Sequence, residues 1–177
     1  MLRSGVYSSI DHPGATTTLV YGINDAGDIV GYYRVGAGPR HGFLLSRGTF
    51  NTLDFPGATD TRAHGINSAG DIVGRYTIDG IIHGFLLERG TFASIHYPGS
   101  VYTQATGINA RGEIVGGYLD ADGHDHGFLL DHDRFMSIDC PSAFGTRVFG
   151  INPQDDIVGD FFASEFSAPQ GFLLTRR

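Results

Sequence analysis

Hydrophobic positions along this chain fall in short runs broken by glycine, asparagine and aspartate. In one stretch they occupy residues 61–67, 71–77, 83–88 and 91–97, each rich in β-branched, aromatic or leucine side chains. Runs of this length with these borders predict β-strands. No segment carries an apolar 3.6-residue period long enough for a helix. The joints have turn chemistry. Asn24-Asp25-Ala26-Gly27, Asn67-Ser68-Ala69-Gly70 and Asn109-Ala110-Arg111-Gly112 each end in a glycine able to take positive φ, and Arg47-Gly48 and Arg89-Gly90 mark a second tight turn.

The four runs recur. Gly-Ile-Asn begins at residues 22, 65, 107 and 150, each time followed by Ile-Val-Gly, and a His-Gly-Phe-Leu-Leu phrase at His41, His83 and His126 keeps step, with Gln170 replacing histidine in the last copy. A period near 40 residues with four strands in each fits one blade of a β-propeller. The expected architecture is all-β: four blades of four antiparallel strands, approximately residues 15–57, 58–99, 100–142 and 143–177. Residues 6–12 match the end of the first repeat (Tyr7-Ser8-Ser9-Ile10-Asp11-His12-Pro13-Gly14 against Phe50-Asn51-Thr52-Leu53-Asp54-Phe55-Pro56-Gly57), and the last repeat stops one strand short. The offset predicts that the N-terminal strand completes the fourth blade and closes the ring.

These phrases resemble the HAF-type extracellular repeat family, in which Gly-Ile-Asn, Ile-Val-Gly and a His-Ala-Phe-Leu phrase recur. The resemblance covers nearly the whole chain. It implies a propeller-like or related β-repeat fold and often an exported protein, and it carries no catalytic residue over.

Composition narrows the field. The net charge is −7, with no basic stripe or nucleic-acid motif, which argues against a nucleic-acid partner. No run approaches the 18 apolar residues of a membrane span. The first residues lack the apolar stretch of a signal peptide, an expectation compatible with the cytoplasm where the family resemblance implies export. The single cysteine, Cys140, excludes an internal disulfide and a cysteine-based zinc cluster; it reads as a structural thiol. No cofactor motif is present.

Residues common to all copies are read as serving the fold; residues that break the pattern are either drifting or serving a site. His41, His83 and His126 recur at one position per blade, too far from the axis to share an ion, and read as histidines bonded within their own blades. Asp11, Asp54 and Asp139 form one column, with His96 in the remaining copy, and Asp28, Asp71, Glu113 and Asp156 another; both read as caps of turns and strand ends. Residues 120–125 alternate carboxylates around Gly123 and admit two readings, a plain hairpin turn, preferred, or a weak calcium loop without an EF-hand frame. No metal site is assigned.

Three columns vary near Gly-Ile-Asn on the expected innermost strands: Leu19, Arg62, Gln104, Arg147; Tyr21, His64, Thr106, Phe149; and Tyr32, Arg75, Gly117, Asp160. The loops expected on the same side, residues 35–40, 78–82, 120–125 and 163–170, also vary, which suggests a binding face on a repeated scaffold. Arg62 and Arg147, on opposite blades, could clamp a carboxylate or phosphate, or instead pair with Asp60 and Asp160. Tyr21, Tyr32 and Phe149 would supply apolar walls, Gln104, Arg75 and Asp160 polar contacts, and His64 a proton carrier. The leading function is binding of a small polar or anionic molecule or glycan. The alternatives are an enzyme (hydrolase, lyase or isomerase) using His64, and a protein-interaction or structural repeat.

Overall fold

A computed structural model describes residues 5–176. The described residues form a four-bladed β-propeller and contain no helix. Blade 1 holds β1 (Thr17–Ile23), β2 (Ile29–Arg34), β3 (Arg40–Ser46) and β4 (Thr49–Leu53). Blade 2 holds β5 (Asp60–Ile66), β6 (Ile72–Ile78), β7 (Ile81–Glu88) and β8 (Thr91–Ile95). Blade 3 holds β9 (Tyr102–Ile108), β10 (Ile114–Leu119), β11 (Asp125–Asp131) and β12 (Arg134–Ile138). Blade 4 holds β13 (Gly145–Ile151), β14 (Ile157–Phe162) and β15 (Gln170–Leu174). Strands pair antiparallel in sequence order within each blade.

The repeated phrases have physical tasks. The asparagine of Gly-Ile-Asn folds the first turn: Asn67 Oδ1 accepts the amides of Ala69 (3.0 Å) and Asp71 (2.9 Å). Its Nδ2 donates to Asp71 (3.0 Å) and, across the blade boundary, to the Asn109 carbonyl (3.2 Å). The acidic column therefore anchors the turn asparagine. Between β3 and β4, Arg47 (φ 50°) and Gly48 (φ 78°) are both left-handed, the pair a type I′ hairpin needs. The constant threonine joins blades: the hydroxyls of Thr18, Thr61, Thr103 and Thr146 accept the amides of His12, Phe55, Tyr97 and Cys140 at 3.0–3.1 Å. In three blades that segment then stacks an aromatic ring on the second strand, His12 on Tyr33, Phe55 on Tyr76 and Tyr97 on Tyr118, with centroids 3.6–3.7 Å apart.

The core lies between blades. Val30, Ala63, Ile66, Ile72 and Phe85 fill the boundary of blades 1 and 2; Val73, Ala105, Ile108, Ile114 and Phe128 repeat the pattern next door; Val115, Leu129, Val148 and Ile157 repeat it again. The glycine of Ile-Val-Gly makes room for this packing. A Cβ on Gly74 would overlap the Arg62 carbonyl and press on the Phe85 ring.

The N-terminal strand expected at residues 6–12 is not formed. Gly5–Ile10 pair with nothing, Val6 and Tyr7 are exposed, and β15 pairs with β14 alone. The reason is the missing neighbour: Val20 and Ile23 of blade 1 and Val158 and Leu173 of blade 4 are exposed, so no blade packs on this side of blade 1, and the segment held at His12 by Thr18 and Tyr33 has no β15 beside it to join. Blade 4 keeps three strands.

Candidate functional site

The first strand of each blade carries a β-bulge. Pairing skips one residue between Val20 and Gly22, Ala63 and Gly65, Ala105 and Gly107, and Val148 and Gly150. The skipped residues are Tyr21, His64, Thr106 and Phe149, the variable column of the sequence. A bulge re-aims a side chain away from the alternation of its strand. Here all four, with Gln104, line one cavity of about 290 Å³.

Each bulge residue of the middle blades grips the next blade. Among the described residues the acceptor beside His64 Nδ1 is the Ala105 carbonyl, at 3.0 Å, so Nδ1 carries the proton and Nε2 keeps its lone pair. Thr106 Oγ1 donates to the Val148 carbonyl at 2.9 Å. Tyr21 meets the His64 ring edge-on, centroids 5.1 Å apart, and lies 5.9 Å from Tyr32. Burial, assisted by Arg75 and Arg62, pulls His64 down to about 4 against the support of the Ala105 carbonyl. The ring is therefore neutral at physiological pH, a hydrogen-bonding wall and a weak base. Burial and the neighbouring Tyr32 push the Tyr21 phenol up.

The other two variable columns are cross-strand partners: Leu19 faces Tyr32, Arg62 faces Arg75, Gln104 faces Gly117 and Arg147 faces Asp160. This brings the chosen residues together in pairs, and it decides the fate of the arginines. Arg62 Nε donates to Asp60 at 2.8 Å, Asp60 also accepts from Arg40 at 3.1 Å, and the Arg62 guanidinium lies 5.2 Å from the Tyr32 ring centre. Arg147 makes a two-pronged pair with Asp160 at 2.9 and 2.8 Å and covers Phe162. Neither lines the cavity of the bulge residues. The expected anion clamp is thus replaced by its alternative: each guanidinium is neutralised on its own blade. Arg75 donates to the Tyr102 hydroxyl (3.3 Å) and has no carboxylate partner among the described residues.

The remaining candidates are structural. His41 pairs with Asp54 (2.8 Å) and His126 with Asp139 (2.7 Å), while His83 lies beside His96 and Tyr76. Burial pushes the Cys140 thiol up, opposite to an activated nucleophile. Asp120, Asp122 and His124 bring three ligand atoms within 4.8 Å of one another. Asp120 is already occupied as a turn anchor, accepting the amides of Asp122 and His124 and bonding His126 Nε2 at 3.1 Å. Strand alternation alone does not predict the bulges; the glycine following each variable residue is their signal in the chain, since glycine inside a strand pattern marks a bulge or a close backbone approach.

No protein-family model and no curated protein matches the chain. Among solved structures, one described as a streptogramin B lyase structure is similar at a TM-score of 0.49 and 16% identity, over 92% of this chain and 56% of that one. The chain thus spans little more than half the length of that neighbour.

Proposed function

We propose that the protein binds a small, polar, sugar-like ligand in the cavity lined by Tyr21, His64, Gln104, Thr106 and Phe149. The observation that supports this reading is the convergence of four bulge residues, one per blade, on a single concavity while the scaffold columns around them stay constant. Tyr21 and Phe149 offer ring faces for the apolar side of a pyranose. Gln104 and the Nε2 lone pair of His64 offer directional polar contacts. Arg75, like Arg62 and Arg147, lies outside the lining of this cavity, so recognition rests on ring faces and hydrogen bonds. Catalysis has less support. A histidine near 4 is a poor base at neutral pH, and no nucleophile–base pair lies among the described cavity residues. The HAF-type resemblance rests on its repeated phrases alone, and the exported setting it implies is part of this reading.

The test is a ligand-observed NMR screen of the whole chain against neutral monosaccharides and disaccharides, uronic acids and common metabolites. Binding of a sugar that Tyr21→Ala and Phe149→Ala each weaken by roughly tenfold, about 1.4 kcal/mol, supports the assignment. Sugars that bind both variants as well as the wild type, or none that binds at all, refute it.

A further inference from the structure

Three boundaries between blades are built alike, and the two ends of the array expose the matching halves of a fourth. On the outgoing side, Val115 and Leu129 of blade 3 are 0% and 3% exposed beneath blade 4; their counterparts Val158 and Leu173 are 47% and 63% exposed. On the incoming side, Ala63 and Ile66 of blade 2 are 0% and 8% exposed, and their counterparts Val20 and Ile23 of blade 1 are 43% and 66% exposed. The polar links stop at the same place. Asn24 reaches the Asn67 carbonyl and Asn67 that of Asn109, while Asn152 bonds Asp156 within its own turn. Gly22, Gly65 and Gly107 each lie against the inner strand of the following blade, and Gly150 faces only Val158.

Blade 4 also lacks an outer strand, and blade 1 holds a spare one. Tyr7-Ser8-Ser9-Ile10 corresponds to Phe50-Asn51-Thr52-Leu53 of β4, is unpaired, and departs from His12 on blade 1. In blade 2 the equivalent departure point, Phe55, follows directly on the outer strand of blade 1, the blade packed against it. A blade seated against β1 would therefore receive residues 7–10 as its fourth strand.

We propose that the occupant is a second copy of this chain, joined head to tail. Val158 and Leu173 of one copy pack on Val20 and Ile23 of the other, and residues 7–10 of the second copy pair with β15 of the first. The pairing of β3 with β4 sets the register: Gly42 faces Leu53 and Leu44 faces Asn51, so Gly171 faces Ile10 and Leu173 faces Ser8. Tyr7 then meets Phe172 as Phe50 meets Phe43. Gln170 takes Asp11 as partner where His41 takes Asp54. Such an interface is heterologous, so two copies satisfy every edge by closing on one another. The closed pair holds eight blades, the upper end of the usual range of about four to eight. The occupant is a second copy because each face matches the opposite end of the same molecule column for column.

Sedimentation of the wild-type chain, 19.0 kDa, should give a dimer, and Val158→Asp with Leu173→Asp should give a folded monomer, because both side chains are exposed in the single chain. Two differently tagged chains in a Cys140→Ser background, one with Ser8→Cys and the other with Leu173→Cys, should form a disulfide between tags under mild oxidation. A wild-type chain that sediments as a monomer overturns the proposal. So does a chain carrying both cysteines that closes only within itself, which is the intramolecular ring. Unchanged mass in the charged variant also overturns it.

Discussion

His64 donates its Nδ1–H to the carbonyl oxygen of Ala105, 3.0 Å away and one blade further on. That bond turns a side chain of the binding face into a fastener between blades, and it ties the cavity wall to the stability of the fold.

The first prediction is a pH dependence. In the unfolded chain His64 takes a proton near its usual value of about 6.5; in the folded chain it does so only near about 4. Between these values the unfolded state binds the extra proton, so this contribution to stability is complete above the upper value and is lost as pH falls toward the lower. The loss is on the order of 2–3 kcal/mol. Thermal unfolding should show the wild type losing stability relative to His64→Gln as pH falls from about 6.5 toward about 4. Parallel curves over that window would refute it.

The arginines should separate by their partners. Asp60 is shared by Arg40 and Arg62, whereas Asp160 has Arg147 alone among its ion pairs. Arg62→Ala should cost less than about 1 kcal/mol, and Arg147→Ala about 1–2 kcal/mol, because it strands a largely buried carboxylate and uncovers Phe162. Urea unfolding measures both. Neither change should weaken a cavity ligand more than a few-fold, whereas Tyr21→Ala should.

Two glycines test the packing. Gly74→Ala sets a methyl against the Arg62 carbonyl and the Phe85 ring, so the variant should lose more than about 3 kcal/mol or fail to fold. Gly70→Ala meets nothing within 4 Å and suffers only from its left-handed φ of 89°, a cost of about 1–2 kcal/mol. Circular dichroism melts of both distinguish overlap from backbone strain.

The Asp120 turn should need an ionised carboxylate, and no metal. The backbone amide of His124, with His126 and the Asp122 amide, holds the Asp120 carboxyl down at about 2, so its contribution is lost as pH falls from the ordinary carboxylate range toward that value. Burial opposes the charging of His126, but Asp139 and Asp120 together raise it, so that contribution is present in mild acid and fades as pH rises through the raised value. Excess chelator should leave the melting temperature unchanged. A drop restored by calcium would assign the three-ligand cluster to a metal, since an ion bound only by the folded state stabilises it.

The strands, their order within a blade and the number of blades were legible in the chain because each follows from local chemistry repeated four times: alternating apolar runs, Asn-turn-Gly, Arg-Gly hairpins. The constancy of Thr61 and its equivalents marked them as scaffold, though only the packed blades show that the hydroxyl bonds the amide of the incoming segment. Three things were decided by tertiary structure. The bulge that aims His64 and Tyr21 depends on β5 and β1 passing close to the next inner strand, a contact between residues some 40 positions apart. The fate of Arg62 and Arg147 depends on which carboxylate lies within a side chain's reach, since a guanidinium takes a neighbouring anion at hydrogen-bond distance before one across the molecule. The place of residues 7–10 depends on His12: sequence identifies them as an outer strand, while the Thr18 bond and the stack on Tyr33 fix the blade from which they start. A repeat specifies what each strand pairs with; only the packed array specifies whose.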